Sequence, residues 1–221
     1  MITTIIIPVL NGYDLLKRSI GSVPPSVRNI LIIDNGDCLS KWDIDQFDQC
    51  DRIRLLSMPA NQGVASSWNL GIKCYPHEPG WLLLNHDAWF GEDAWSVFER
   101  ECGEDRITLA GSPPWCCAWI GRGVVERVGL FCEQFHPAYM EDIDYERRAH
   151  ALGVPVITST ATVGHDNSST IHTNAHFRTK NDATHARNMS IYDNRWTGVA
   201  DHEVPPSREW DLRIRRMNSW D

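Results

Sequence analysis

Four uninterrupted apolar residues, Trp81-Leu82-Leu83-Leu84, run straight into Asn85-His86-Asp87. A run this short, with no polar alternation, is the pattern of a strand buried on both faces, as inside a parallel sheet. In open α/β sheets, ligands gather just beyond the carboxyl ends of such strands. Asn85 and Asp87 are two apart, so in extended chain they point to one side. Both offer hard oxygen donors suited to Mg²⁺ or Mn²⁺. The same residues also make ordinary turns, and the tripeptide alone leaves both readings open.

The pattern recurs along the chain. Ile5 to Leu10 reads as a strand broken by Asn11-Gly12, and Tyr13 to Ser22 as a helix carrying Leu15, Leu16 and Ile20 at helical spacing. Asn29 to Ile33 is a second strand, stopped by Asp34-Asn35-Gly36, and Ile53 to Ser57 a third. A short helix is expected around Trp42 to Phe47, and a longer one over Val64 to Lys73 with Ala65, Trp68 and Ile72 on one face. Beyond Leu84 the reading is a helix at Asp93–Glu101, a strand at Ile107–Ala110, and a strand–helix pair over Ala118–Val128. An aromatic loop (Phe131 to Tyr139), a helix from Asp142 to Leu152 closed by Gly153, and a strand at Pro155–Ser159 complete the periodic part. From Val163 onward the chain turns polar and His-rich, with no clear period. Alternating strands and helices predict an α/β fold with a mostly parallel central sheet flanked by helices.

At 221 residues this is one domain or one domain with an appendage, and 42% hydrophobic residues supply a sizeable core. The net charge of −8 argues against broad attraction to nucleic acid or to an anionic membrane surface. Seven Cys, with no C-x-x-C pair, suggest neither a zinc site nor a disulfide framework, so a reduced, cytoplasmic protein is expected. No apolar run approaches the roughly 20 residues of a transmembrane segment. Ten Trp are suggestive of sugar-facing or interface surfaces, though core packing uses Trp as well.

Three further features stand at strand ends or helix starts. Asp34 is placed either to form a turn or to accept the imide N–H of a uracil or thymine ring. Asn61-Gln62-Gly63 precedes a helix whose first amides either face an anion or meet an ordinary cap. Glu141-Asp142-Ile143-Asp144 opens a helix, where the dipole stabilises carboxylates. Acids this close repel, which raises the pKa of at least one, and a raised carboxylate within reach of a proton is what a general base requires.

In order and spacing these segments resemble the family 2 glycosyltransferases of GT-A fold, in particular rhamnosyltransferase-like members. The carriers are Ile5-Ile-Ile-Pro-Val-Leu-Asn11, Leu31-Ile-Ile-Asp-Asn-Gly36, the N-x-G…N-x-G stretch Asn61 to Gly71, and Leu82-Leu-Leu-Asn-His-Asp87. Arg122 to Gly129 with Phe131 to Phe135, and Tyr139-Met-Glu-Asp-Ile-Asp-Tyr145, resemble later motifs of the family. The likeness covers residues 3 to 165 and, more faintly, continues to about residue 198. It implies a GT-A (nucleotide-diphospho-sugar transferase) domain over residues 1–165. A C-terminal extension, residues 166–221, would pack on or near the active site. The activity implied is inverting transfer of one sugar from a UDP-, dTDP- or GDP-sugar to an acceptor hydroxyl. The acceptor would be a glycan, a lipid-linked precursor or a modified nucleic-acid base.

The resemblance also implies roles. Asp34 would bind the nucleobase, with Pro8, Asn11, Asn61, Gly63 and Asn85 lining the donor site. Asp87 would hold Mn²⁺ or Mg²⁺, with His86 pointing away. His165 would complete the metal shell, His172 and His176 being nearby competitors. Asp142, with Glu141, would take the acceptor proton, and Trp115, Glu133 and Asp144 would shape the acceptor and sugar pocket.

Departures from the family pattern are specific. Asn85 stands where many members carry Asp, and Cys132 where an Asp is expected before Glu133. Both favour the alternative of a weak or inactive sugar- or nucleotide-binding module. Arg195-Trp196 is the R-W pair of the processive synthases, but Tyr192 replaces their Gln, which favours single transfers. The basic stretch Ser207 to Met217, with Arg208, Arg213, Arg215 and Arg216, is expected to be a solvated helix or a homodimer contact, with phosphate on an acceptor or a membrane surface as the alternative partner.

Overall fold

A computed structural model describes residues 1–36, 39–166 and 175–205, with backbone alone for residues 41–42 and 175–181. The apolar runs form strands β1 (Thr4–Val9), β2 (Asn29–Asp34), β3 (Ile53–Ser57) and β4 (Gly80–Leu84). They continue as β5 (Ala88–Phe90), β6 (Ile107–Ala110), β7 (Cys117–Gly121), β8 (Val156–Thr158) and β9 (Val163–His165). Seven strands make one sheet in the order β3-β2-β1-β4-β7-β6-β8, and β5 pairs with β9 in a second. In the large sheet β7 runs antiparallel to both β4 and β6; the remaining pairings are parallel.

The described helices are α1 (Tyr13–Gly21), α2 (Lys41–Asp45), α3 (Val64–Cys74), α4 (Ala94–Glu101), α5 (Arg122–Val128), α6 (Glu141–Ala151) and α7 (Ala175–Trp196). Because successive strand residues face opposite sides, one strand feeds two cores. Ile5, Ile7 and Val9 pack with Leu16, Ile20 and Phe98 from α1 and α4. Ile6, Leu31, Ile33 and Leu83 pack with Trp68 and Ile72 of α3 and with Tyr145 and Ala149 of α6. Each such Ile or Leu contributes about 1.5–3 kcal/mol. A Cβ on Gly71 would come within 2.5 Å of the Ile6 side chain, so glycine lets α3 approach β1 this closely.

Three elements go beyond the sequence reading. β5 and β9 are three-residue strands, too short to show a period. α7 lies where the sequence turns polar, and its described side chains dock by hydrogen bonds and ring contacts rather than by an apolar stripe.

Candidate active site

The order β2-β1-β4 brings the carboxyl ends of three strands side by side. Asp34 ends β2, Asn11 follows β1, and Asn85-His86-Asp87 follows β4. Val9 pairs with Asp34 in register, and the Asn35 amide donates to the Val9 carbonyl at 2.7 Å. Pro8, half-buried, stands opposite Ile33 in the same ladder.

Asp34 is fully buried. Its Oδ1 accepts from the Gly36 amide at 3.0 Å and the Tyr13 hydroxyl at 3.2 Å, and its Oδ2 from the Leu39 amide at 2.7 Å. It therefore shapes the loop after β2. Tyr13 also lines a cleft of about 430 Å³ with Asp14, Lys17, Leu39 and Phe47.

Asp87 and His165, far apart in sequence, meet. The β5–β9 ladder pairs Ala88 with His165, and the Asp166 amide donates to the Asp87 carbonyl at 3.1 Å. His165 Nε2 then stands 3.0 Å from Asp87 Oδ1, both side chains 6% exposed, and 3.4 Å from Asn85 Nδ2. Arg18 of α1 ties this pair to the body of the protein: its guanidinium lies 3.5 Å over the Trp89 ring and pairs with Asp166. His172 lies outside the described residues, as does the side chain of His176, so His165 is the one of the three whose position is seen.

The donor set suits a hard divalent cation. Two ligands at right angles, each about 2.1 Å from one ion, are about 3.0 Å apart. The imidazole–carboxylate distance matches that value, as it matches a hydrogen bond. Among the described residues no three His, Cys, Asp or Glu side chains converge; the third polar group here is the Asn85 amide. Mg²⁺ in nucleotide enzymes characteristically takes one or two protein carboxylates and fills its shell with phosphate oxygens and water. His165 Nδ1 and His86 Nε2 are buried without a hydrogen-bond partner. His86 turns toward the β1–α1 loop, where its Nε2 lies 3.2 Å from the place a Cβ on Gly12 would occupy. Burial holds its pKa below the usual histidine range; Asp87 opposes that shift and His165 adds to it.

At the start of α3, the Asn61 side chain accepts from the Gly63 amide at 2.8 Å. Gly63 has φ +81°, and a Cβ there would come within 2.8 Å of the Pro137 carbonyl oxygen. The Val64 amide donates to that oxygen at 2.7 Å, so the first amide of the helix is occupied by protein. Asn35 bridges the same region, accepting from the Gln62 amide and donating to Ser67 Oγ, both at 2.9 Å.

The carboxylates of α6 separate into different roles. Glu141 is 5% exposed and its Oε2 has no hydrogen-bond partner. Burial, reinforced by Asp142, pushes its pKa well above the carboxylate range. Asp142 is half-buried, and burial raises its pKa against the hydrogen bond from the Ile143 amide at 2.8 Å. Asp144 stands in the interior instead of on a pocket wall. It is fully buried and bonded to Arg148, Arg195 and Trp196, because helical geometry turns the residue two beyond Asp142 inward.

Trp115 is likewise interior, packed against Trp68, Phe131 and Tyr145, with its indole N–H on Glu146 at 2.8 Å. Glu133 accepts from Asn69 at 2.8 Å, a partner that sequence reasoning did not assign. The bonds of Arg195 and Trp196 to Asp144 were also missed, although the R-W pair was visible as a motif. The Ser207–Met217 stretch lies outside the described residues.

No protein-family model and no curated protein sequence matches the chain. Solved structures do. GalNAc-T7, crystallised with UDP, GalNAc and Mn²⁺, superposes with a TM-score of 0.64 at 11% identity, covering 75% of this chain and 44% of that one. Staphylococcus aureus TarS 1-349, in complex with UDP, gives 0.53 at 12% identity over 76% of this chain and 59% of TarS 1-349. The same TarS piece with UDP-GlcNAc gives 0.53 at 11%. The chain thus spans about half the length of these neighbours. What the likeness establishes is the architecture, a seven-stranded, mostly parallel sheet flanked by helices: the GT-A fold.

Proposed function

We propose that this protein is a glycosyltransferase that moves one sugar, with inversion, from a nucleoside diphosphate sugar to an acceptor hydroxyl. The observation that carries the reading is the meeting of Asp87 with His165 beyond the end of β4. The GT-A architecture supports it, as do the neighbours that bind UDP and UDP-GlcNAc, and the Mn²⁺ of GalNAc-T7 makes a divalent cation the natural companion. Asp87 and His165 would hold Mn²⁺ or Mg²⁺, with Asn85 beside them. A cation held there would supply positive charge to offset that of a departing diphosphate.

The protein's own groups do the rest. Asp34 and Tyr13 shape the base side, and Asn61 and Gly63 set the loop opposite Pro137. Asp142, raised in pKa and partly open, takes the proton of the acceptor hydroxyl as its oxygen bonds to the anomeric carbon. The bond to the diphosphate breaks, its electron pair leaves with the phosphate oxygen, and the single displacement inverts the carbon. Asp142 must be ionised to act, so transfer rises with pH through its raised pKa.

A thermal-shift screen of UDP-, dTDP- and GDP-sugars with Mn²⁺, followed by turnover on the stabilising donor, tests the reading. Asp87→Ala is expected to abolish the Mn²⁺-dependent shift and to lower transfer about 100-fold, or about 2.7 kcal/mol. Full activity in that variant overturns the metal assignment. Asp142→Asn is expected to keep donor binding and lose about 10²–10⁴-fold in transfer; loss of both makes Asp142 structural. A single carboxylate in the donor set favours a second reading, a binding module of the same fold. Donor binding by calorimetry with no turnover on any acceptor would select it.

A further inference from the structure

We propose that Arg195 and Trp196 are positioning residues: by holding Asp144, they and Asn188 of α7 fix the first turn of α6, which carries Glu141 and Asp142. The inference rests on the reading of Asp142 as the base. It assigns the R-W pair to the protein's own carboxylate rather than to substrate.

Asp144 Oδ1 accepts from Arg195 Nε at 2.8 Å and Trp196 Nε1 at 3.0 Å, and Oδ2 from Arg148 Nε at 2.9 Å. Arg148 is anchored in turn, donating to the carbonyls of Val128 and Leu130, each at 3.0 Å. Arg147 covers the outer side of the clamp, its guanidinium 4.2 Å from the Trp196 ring centre. The other side of the turn is held as well. Asn188 Nδ2 donates to the carbonyl oxygens of Ala138 at 2.7 Å and Tyr139 at 3.2 Å. Tyr139 and Met140 have φ of 78° and 74°, left-handed conformations that side chains rarely adopt and that persist only where the surroundings impose them.

Glu141 and Asp142 therefore lie between two points pinned by one helix. The turn needs pinning. It gathers three acids, of which Glu141 and Asp144 are buried, and a buried carboxyl costs stability unless partners hold it. The Asp144 amide bond to the Met140 carbonyl at 2.9 Å closes that turn, and its opening reports whether the clamp is intact.

The test is hydrogen exchange on the full chain, together with steady-state kinetics, for Trp196→Phe, Arg195→Lys and Asn188→Ala. Trp196→Phe keeps the ring and removes the N–H; Arg195→Lys keeps the charge and loses the planar fork. The expected result is about tenfold faster exchange at residues 141–146 with the β1 and β4 amides unchanged. With it, kcat falls about tenfold while donor KM stays within about twofold. Unchanged exchange at 141–146 overturns the inference, as does acceleration spread through the central sheet. A rise in donor KM that accounts for the loss in kcat/KM also overturns it, by placing the pair on the donor. If the wild-type chain transfers sugar from none of the donors, the glycosyltransferase reading fails, and exchange alone decides the positioning claim.

Discussion

Glu141 shows how a single residue can set both chemistry and stability. Its carboxyl is buried without a partner at Oε2, beside Asp142, and its folded pKa lies well above the ordinary value. Between the unfolded pKa and the raised folded one, the native state binds the proton and the unfolded chain does not. Stability therefore falls as pH rises through that window. Glu141→Gln, neutral throughout, is expected to match the wild type at pH 4 and to gain about 1 kcal/mol at pH 8, or about 2–4 °C in Tm. Melting curves at the two pH values check this, and a variant less stable at pH 8 refutes it. At this scale the sequence showed which residue types stand at strand ends and helix starts, Asp87 and Asp142 among them. It could not show that Asp144 and Trp115 face inward, because burial depends on packing partners distant in sequence.

Elements are joined here by a few buried polar side chains. Asn69 of α3 accepts from the Phe131 amide, donates to the Phe131 carbonyl, both at 2.9 Å, and reaches Glu133. It is fully buried, so Asn69→Ala would strand two backbone groups of the loop after α5. The expected cost is about 2–4 kcal/mol, read from the urea midpoint with an unchanged m-value, and a loss under about 0.5 kcal/mol would show that water replaces the amide. The strands β1 to β4 and helix α3 were legible because apolar runs and a helical stripe record burial directly. The β5–β9 pair was not, since Ala88-Trp89-Phe90 runs on from a polar turn and Val163-Gly164-His165 carries one aliphatic, and each finds its partner only in three dimensions. α7 was not legible either, because its contacts with α6 and the preceding loop come from Asn188, Tyr192, Arg195 and Trp196 rather than from spaced aliphatics.

For the whole molecule, the large sheet supplies two cores and α7 packs on the helix that carries the candidate base. A chain ended at Asp166 would lose Arg195 and Trp196 and leave Asp144 with Arg148 alone in the interior. Breaking a buried charge network by removing one partner costs about 3–5 kcal/mol. The shortened protein is expected to melt lower by that equivalent, and equal Tm values would show that α7 adds nothing to the fold. Among the described residues no helix is long and apolar enough to cross a membrane. The sequence by itself determined the sheet-and-helix class, the positions of most strands, and the chemical types at Asn85-His86-Asp87 and Glu141-Asp142, because hydrophobic period and residue type are local properties. Only the tertiary structure decided that His165 faces Asp87, that Asp34 is enclosed by its own loop, and that the R-W pair grips Asp144. The first and the last are contacts between residues dozens of positions apart and follow from how the β5–β9 pair and α7 close on the sheet. Asp34, by contrast, is held by the near neighbours Gly36 and Leu39, whose backbone geometry only the folded loop sets.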